Sequence, residues 1–160
     1  MTPRIDLAVE RTGVLTPARV RALARRVRKA ARAMGCIPEE IDGIELRIVD
    51  DPRMQELKAA HLGVAEATDV LAFPAGDALP GEEAPGLGEV VLNRDAVARQ
   101  AVRPGPDGWL DEATSLAIHG VAHLMGHDHH PRQAARRMLA CERRGSRAVG
   151  LPCVRPYGGQ

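Results

Sequence analysis

The sequence predicts an α+β fold: a single small mixed β-sheet of about four strands, packed by helices. Three observations predict it. Four short apolar or alternating runs, each bounded by turn residues, fall within the first 93 positions. Segments with helical spacing, each with start or stop residues, separate and follow them. The length of 160 residues is that of one domain, enough to bury roughly 70 per cent of the unfolded surface in one core.

The elements follow in order. Ile5, Leu7 and Val9 alternate with polar neighbours, as in a half-buried strand. Thr16-Pro17 is a helix start, a capping hydroxyl before Pro at the first helical position. Val20, Leu23, Ala24, Val27, Ala30, Ala31 and Met34 continue at helical spacing to Gly35. Ile44, Leu46 and Ile48 form a second strand, and Asp51-Pro52 opens a short helix to about His61, ended by Gly63. A third strand runs from Asp69 to Phe73 and is closed by Pro74; the Gly-, Pro- and acid-rich stretch 75–86 reads as an exposed loop. The fourth strand covers Leu87 to Asn93, and a helix follows from Asp95 to Ala101. Residues 103–108 read as a breaker, then a helix runs from about Leu110 to Met125 and a last one from about Pro131 to Arg144. The organisation expected is one domain over 1–145 and a flexible tail over 146–160.

Composition narrows the class. Phe73, Trp109 and Tyr157 are the only aromatics, so Leu, Val, Ile, Ala and Met must build the core. Their scarcity argues against single-strand binding by base stacking. The cysteines, Cys36, Cys141 and Cys153, are odd in number and form no C-x-x-C pair, which disfavours both a disulfide framework and a thiolate zinc site. The apolar run of a signal peptide is interrupted by Arg4 and Asp6, and no stretch reaches the ~20 apolar residues of a membrane span. A cytoplasmic location is expected. The net charge of +1 hides a pattern: +7 over residues 1–32, −12 over 33–129 and +6 over 130–160. If the basic ends meet in space, they form one face for a polyanion such as RNA. The alternative is two solvated helix faces with local ion pairs.

Five of the six histidines fall between 119 and 130. His119 and His123 are one helical turn apart, at about 6 Å and rotated by only ~40°, so they point the same way. A third ligand on the same straight helix would diverge. Gly126 can take the left-handed conformation that ends a helix and lets the chain turn back with His129. Three imidazoles leave a fourth position open, the pattern of a catalytic rather than a structural zinc. Such a site lowers the pKa of bound water toward ~7 and stabilises a developing oxyanion. It places a metal-binding helix near the C-terminal end of the fold, with His127 and His130 outside the ligand set and Asp128 suited to orienting a ligand imidazole.

The zincin protease pattern has Glu after the first His, where this chain has Gly120, so that type of peptidase is disfavoured. Gly within a helix costs about 0.5–1 kcal/mol relative to Ala, which points to close approach by a strand or a substrate. Proton handling is left to the metal-bound hydroxide, a substrate phosphate oxygen or Asp128. The catalytic candidates are thus His119, His123, His129 and Asp128.

At these residues the chain resembles the YbeY family of bacterial rRNA-maturation endoribonucleases. Residues 119–129 match that family's His-Gly-x-x-His-x-x-Gly-Tyr-Asp-His with His127 in place of Tyr. Thr68-Asp69-Val70-Leu71-Ala72-Phe73-Pro74 resembles its Thr-Asp-Val-Leu-Ser-Phe-Pro, and Leu87-Gly88-Glu89-Val90 its Leu-Gly-Asp-Ile strand. Order and spacing fit from about residue 5 to 143. The chain departs from the family at Leu62, which precedes Gly63 where an Arg-Gly pair is usual. The resemblance implies one Zn2+ per chain on His119, His123 and His129, and a single-strand-specific endoribonuclease. It further implies maturation of the 16S rRNA 3′ end, ribosome quality control and contact with the small ribosomal subunit, with no DNA or membrane partner. Other classes compatible with the residues are a ribosome-assembly factor with a mainly structural metal, favoured by Leu62, and a metallohydrolase of another phosphoester or amide.

Overall fold

The computed structural model describes residues 15–63, 68–76, 80–81, 86–128 and 132–153, together with the backbone of 4–7. Strand β1 (Arg4–Leu7) is followed by helix α1 (Pro17–Met34), the one-turn α2 (Pro38–Asp42), strand β2 (Ile44–Val49) and helix α3 (Asp51–Leu62). Strands β3 (Val70–Pro74) and β4 (Gly88–Asn93) come next, then α4 (Arg94–Gln100), α5 (Gly105–Leu124) and α6 (Arg132–Ala148). The sheet order is β1-β2-β4-β3. β1 and β4 run parallel to β2, and β3 runs antiparallel to β4, so the sheet is mixed, as expected.

The pleat sorts the strand side chains onto two faces. Ile44, Leu46 and Ile48 of β2 and Val90 and Leu92 of β4 join the main core with Leu23 and Val27 of α1 and Leu116 and Val121 of α5. Val49, Leu71 and Val91 point the other way and meet Met54 and Leu57 of α3. The second face is only partly covered, and there Arg47 bonds Glu89 at 3.3 Å. Helix α5 is the central element. It packs on β3, β4, α1 and α6, and is buried on nearly every side from Gly108 to Leu124.

Local signals explain most boundaries. The Thr16 hydroxyl accepts from the Arg19 amide at 3.3 Å, and the Asp50 carboxylate from the Arg53 amide at 3.0 Å, each capping a helix that starts with Pro. Asn93 is fully buried and joins four segments. Its side-chain carbonyl caps α4 at Asp95 and Ala96, while its amide donates to Asp51 at 2.6 Å and to the Thr68 carbonyl at 3.0 Å.

Three expectations differ from what is observed. Helix α2 is absent from the sequence reading, since one turn carries no apolar period; Pro38 at its start is the available signal. Helix α5 begins at Gly105, inside the expected breaker. Gly108 serves close packing there, since a Cβ would fall 1.7 Å from the Arg103 carbonyl oxygen. Helix α6 runs to Ala148 and buries Ser146, so order continues past the expected end at Arg144 and into the segment read as tail. Gly145 lies inside the helix, and a Cβ there would meet the Met34 sulfur at 2.8 Å. The actual stop is Gly150, with φ 73° and its amide on the Arg147 carbonyl. Residues 154–160 lie outside the described residues, as does most of the expected loop 75–86.

Candidate histidine centre

The site is built on the last two turns of α5. His119 and His123 project together as their spacing requires, with ring centroids 4.7 Å apart and planes at 87°. Between them lies Gly120. A Cβ on it would come within 2.6 Å of a Val90 methyl and 3.4 Å of a Val70 methyl, so the close approach inferred from this glycine is to the sheet. The absent side chain lets α5 settle against β3 and β4 and fixes the depth of both imidazoles.

Each ring is held from behind. The Nδ1 of His119 lies 2.5 Å from Oε1 of Glu142 on α6, and both residues are about 5% exposed. The Nδ1 of His123 lies 3.1 Å from the backbone carbonyl of His127. A carbonyl or carboxylate oxygen can only accept, so each Nδ1 carries a hydrogen, and in the neutral ring that puts the lone pair on Nε2. Metal-ligating histidines are oriented in this way, by a carboxylate or carbonyl on the nitrogen that does not bind. The donor chemistry therefore fits a cation bound through two Nε2 atoms.

The turn after α5 has the geometry expected from Gly126. This residue has φ 92°, its amide donates to the His123 carbonyl at 3.0 Å, and the next amide, of His127, reaches back to Ala122 at 3.1 Å. These paired bonds are a left-handed glycine cap. The same turn presents the His127 carbonyl to the His123 ring, so chain reversal and ring orientation share one device. Asp128 follows at an exposed position. His129, the third candidate ligand, and His130 lie outside the described residues. Among the described residues, no group of three or more His, Cys, Asp or Glu is placed to hold a metal.

Glu142 is the functional residue that sequence reasoning misses. Proximity in the chain gives the role of orienting a ligand ring to Asp128, whereas the partner of His119 comes from a helix 23 positions on. A signal is present: Glu142 is the only acid within residues 130–160. The carboxylate also lines a cavity of about 410 Å³ beside Asp111, Glu112, Ser115 and Ser146. Leu62, at the departure from the family motif, is 57% exposed at the end of α3, and its neighbour His61 lies against the Phe73 ring at 4.9 Å.

Fold and site together define an α+β protein with a paired-imidazole centre on its central helix. The Endoribonuclease YbeY family profile matches residues 6–150. Similar proteins named endoribonuclease YbeY come from Agrobacterium fabrum (34% identical over 163 residues, covering 98% of this chain and 95% of that one) and Parvibaculum lavamentivorans (36% over 142 residues, 82% and 75%). One from Myxococcus xanthus is 41% identical over 125 residues, which cover 76% of this chain and 42% of that longer one. A solution structure from Thermotoga maritima aligns over 98% of this chain and 99% of that one at 17% identity, with a TM-score of 0.49 that adds nothing to the assignment. The chain belongs to the endoribonuclease YbeY family, which places it among the hydrolases that act on RNA.

Proposed function

We propose that this protein is a zinc-dependent, single-strand-specific endoribonuclease of the cytoplasm that acts in maturation of the small-subunit rRNA 3′ end and in ribosome quality control. The observation that carries the metal is the state of the two rings. Both Nδ1 atoms are engaged from behind, by Glu142 and by the His127 carbonyl, which directs both lone pairs to Nε2. His119, His123 and His129 would hold one Zn2+; when bound, the ion activates water and polarises a phosphoryl oxygen. The protein's own groups supply the rest. Glu142 fixes the His119 tautomer and the orientation of its ring, Gly120 sets the distance of the ring pair from the sheet, and the Gly126 turn delivers the chain toward residue 129. The location is supported by three free cysteines, two of them buried, and by the lack of any helix, among the described residues, long and apolar enough to cross a membrane.

One observation favours a second reading. The exposed Leu62 offers an apolar surface where the family motif has a cation, which suits a ribosome-assembly factor in which the metal is mainly structural. Cleavage of single-stranded RNA by wild type, by chelator-treated protein restored with zinc, and by His119→Ala separates the two. The enzyme reading expects cleavage that is lost on chelation, regained with zinc and absent from the variant. Stoichiometric zinc without cleavage by the wild type would overturn it in favour of the assembly factor.

A further inference from the structure

The two basic ends of the sequence meet. Helix α1 packs against α6 along the C-terminal half of each, where the Cys141 thiol lies 3.8 Å from the Met34 carbonyl oxygen and Gly145 sits under the Met34 side chain. The cations of these helices divide into two sets. Arg19 and Arg26 pair with Asp107 and Asp111 of α5, and Arg28 pairs with Asp42 of α2. Arg21, Arg25, Lys29 and Arg32 of α1 and Arg132, Arg136, Arg137, Arg143, Arg144 and Arg147 of α6 are exposed and form no ion pair among the described residues. At the seam lies a groove of about 560 Å³ lined by Ala33, Ala140, Ala148, Arg143, Arg144 and Arg147. Its floor is small and apolar, its charged lining is arginine alone, and no carboxylate of the described residues enters it.

We infer that this α1–α6 groove is a docking surface for the phosphate backbone of a structured RNA, separate from the histidine centre. The inference rests on the endoribonuclease reading above. Arginine is the side chain suited to phosphate, which its planar fork can engage with two donors. A row along α1 from Arg21 to Arg32 spans about 16 Å, enough for several phosphates. No aromatic side chain lies on either helix, so the surface engages backbone rather than stacked bases, and does so independently of sequence. An anionic membrane is the poorer occupant. Interfacial helices insert a large apolar face, whereas the exposed large hydrophobics among the described residues, Ile37, Leu62 and Val102, lie on neither α1 nor α6. Helix α6 thereby carries two tasks: the buried Glu142 meets His119, and the exposed Arg143 and Arg144 line the groove.

The test uses the full chain with Arg143→Glu and Arg147→Glu combined, and separately Arg25→Glu with Arg32→Glu. Lys58→Glu, at a partly exposed cation on α3, is the control. Binding of an RNA hairpin with a single-stranded tail is followed by fluorescence anisotropy across a salt series, with thermal unfolding to confirm the fold. Each double variant is expected to weaken binding at least tenfold, to flatten the log Kd–log salt slope by about 0.7–0.9 for each phosphate no longer neutralised, and to raise KM for cleavage of the hairpin. Lys58→Glu is expected to bind as wild type does. Unchanged affinity and slope in both folded double variants would overturn the inference. So would arginine-dependent binding to phosphatidylserine vesicles, or to an acidic protein, with no RNA binding. If the wild type binds RNA through these arginines but cleaves none, the docking surface stands and the enzyme reading falls.

Discussion

A buried imidazole and a buried carboxylate are each unfavourable alone, and His119 and Glu142 make sense as a pair. The carboxylate makes the ring a better donor to a cation at Nε2. Glu142→Gln keeps the shape and the hydrogen bond but removes the charge. We expect zinc affinity, measured by competition with a chromophoric chelator, to fall about 10–100-fold, with the unfolding curve of the metal-free protein little changed. Equal affinity in variant and wild type would show that the carboxylate does not act on the metal-binding nitrogen. At this scale the sequence is partly legible. The pairing of the His119 and His123 rings and the left-handed turn at Gly126 follow from helical geometry, because both depend on local spacing. Glu142 does not, because its partnership is set by how α6 lies against α5, a tertiary fact.

Among the elements, α5 decides where the chemistry sits, and Gly120 decides how close α5 comes to the sheet. A Cβ there would stand 2.6 Å from the Val90 methyl. Gly120→Ala is therefore expected to lower the unfolding free energy in urea by about 1–3 kcal/mol through overpacking, despite the better helix propensity of Ala. Adding Val90→Ala should return part of that loss, so that the pair couples in a double-mutant cycle by at least about 0.5 kcal/mol. Strict additivity would show that the two do not touch. The helix-interior glycine is readable as a sign of close approach. Gly108 reads as part of a breaker, and the last helix as ending at about Arg144, just before Gly145; the structure corrects both. Each allows tight packing inside a helix, against Arg103 and Met34, which composition alone does not distinguish from a stop. The strands and the helices α1, α3 and α4 are legible because caps and period-two alternation are local.

Over the whole molecule, charge is distributed by pairing. The acidic middle of the chain neutralises some basic residues in place. Arg99 bonds Asp51 through two nitrogens, at 2.8 and 3.1 Å, and Asn93 donates to the same carboxylate. The Arg99 bond first, and the Asn93 bond second, hold the Asp51 carboxyl below its ordinary range. Its contribution to stability is full above the unfolded value of about 4 and is lost as pH falls through the lower folded value. The urea midpoint should therefore drop on acidification below about pH 4, and Asp51→Asn should flatten that part of the profile; an identical acid limb in the variant would contradict the assignment. Arg99 is largely exposed, so the effect is modest and weakens in salt. Burial pushes the Cys36 thiol up to about 11, which leaves it a core side chain rather than a nucleophile. The meeting of the two basic ends is a conditional reading of the sequence, and the packing of α1 on α6 realises it. The central claim is a metal held by imidazoles alone among protein ligands. X-ray absorption at the zinc edge of the purified protein tests it most directly. The account predicts one zinc per chain with three imidazole nitrogens at about 2.0–2.1 Å and one further oxygen. A sulfur shell at about 2.3 Å, or protein purified without stoichiometric metal, would contradict it.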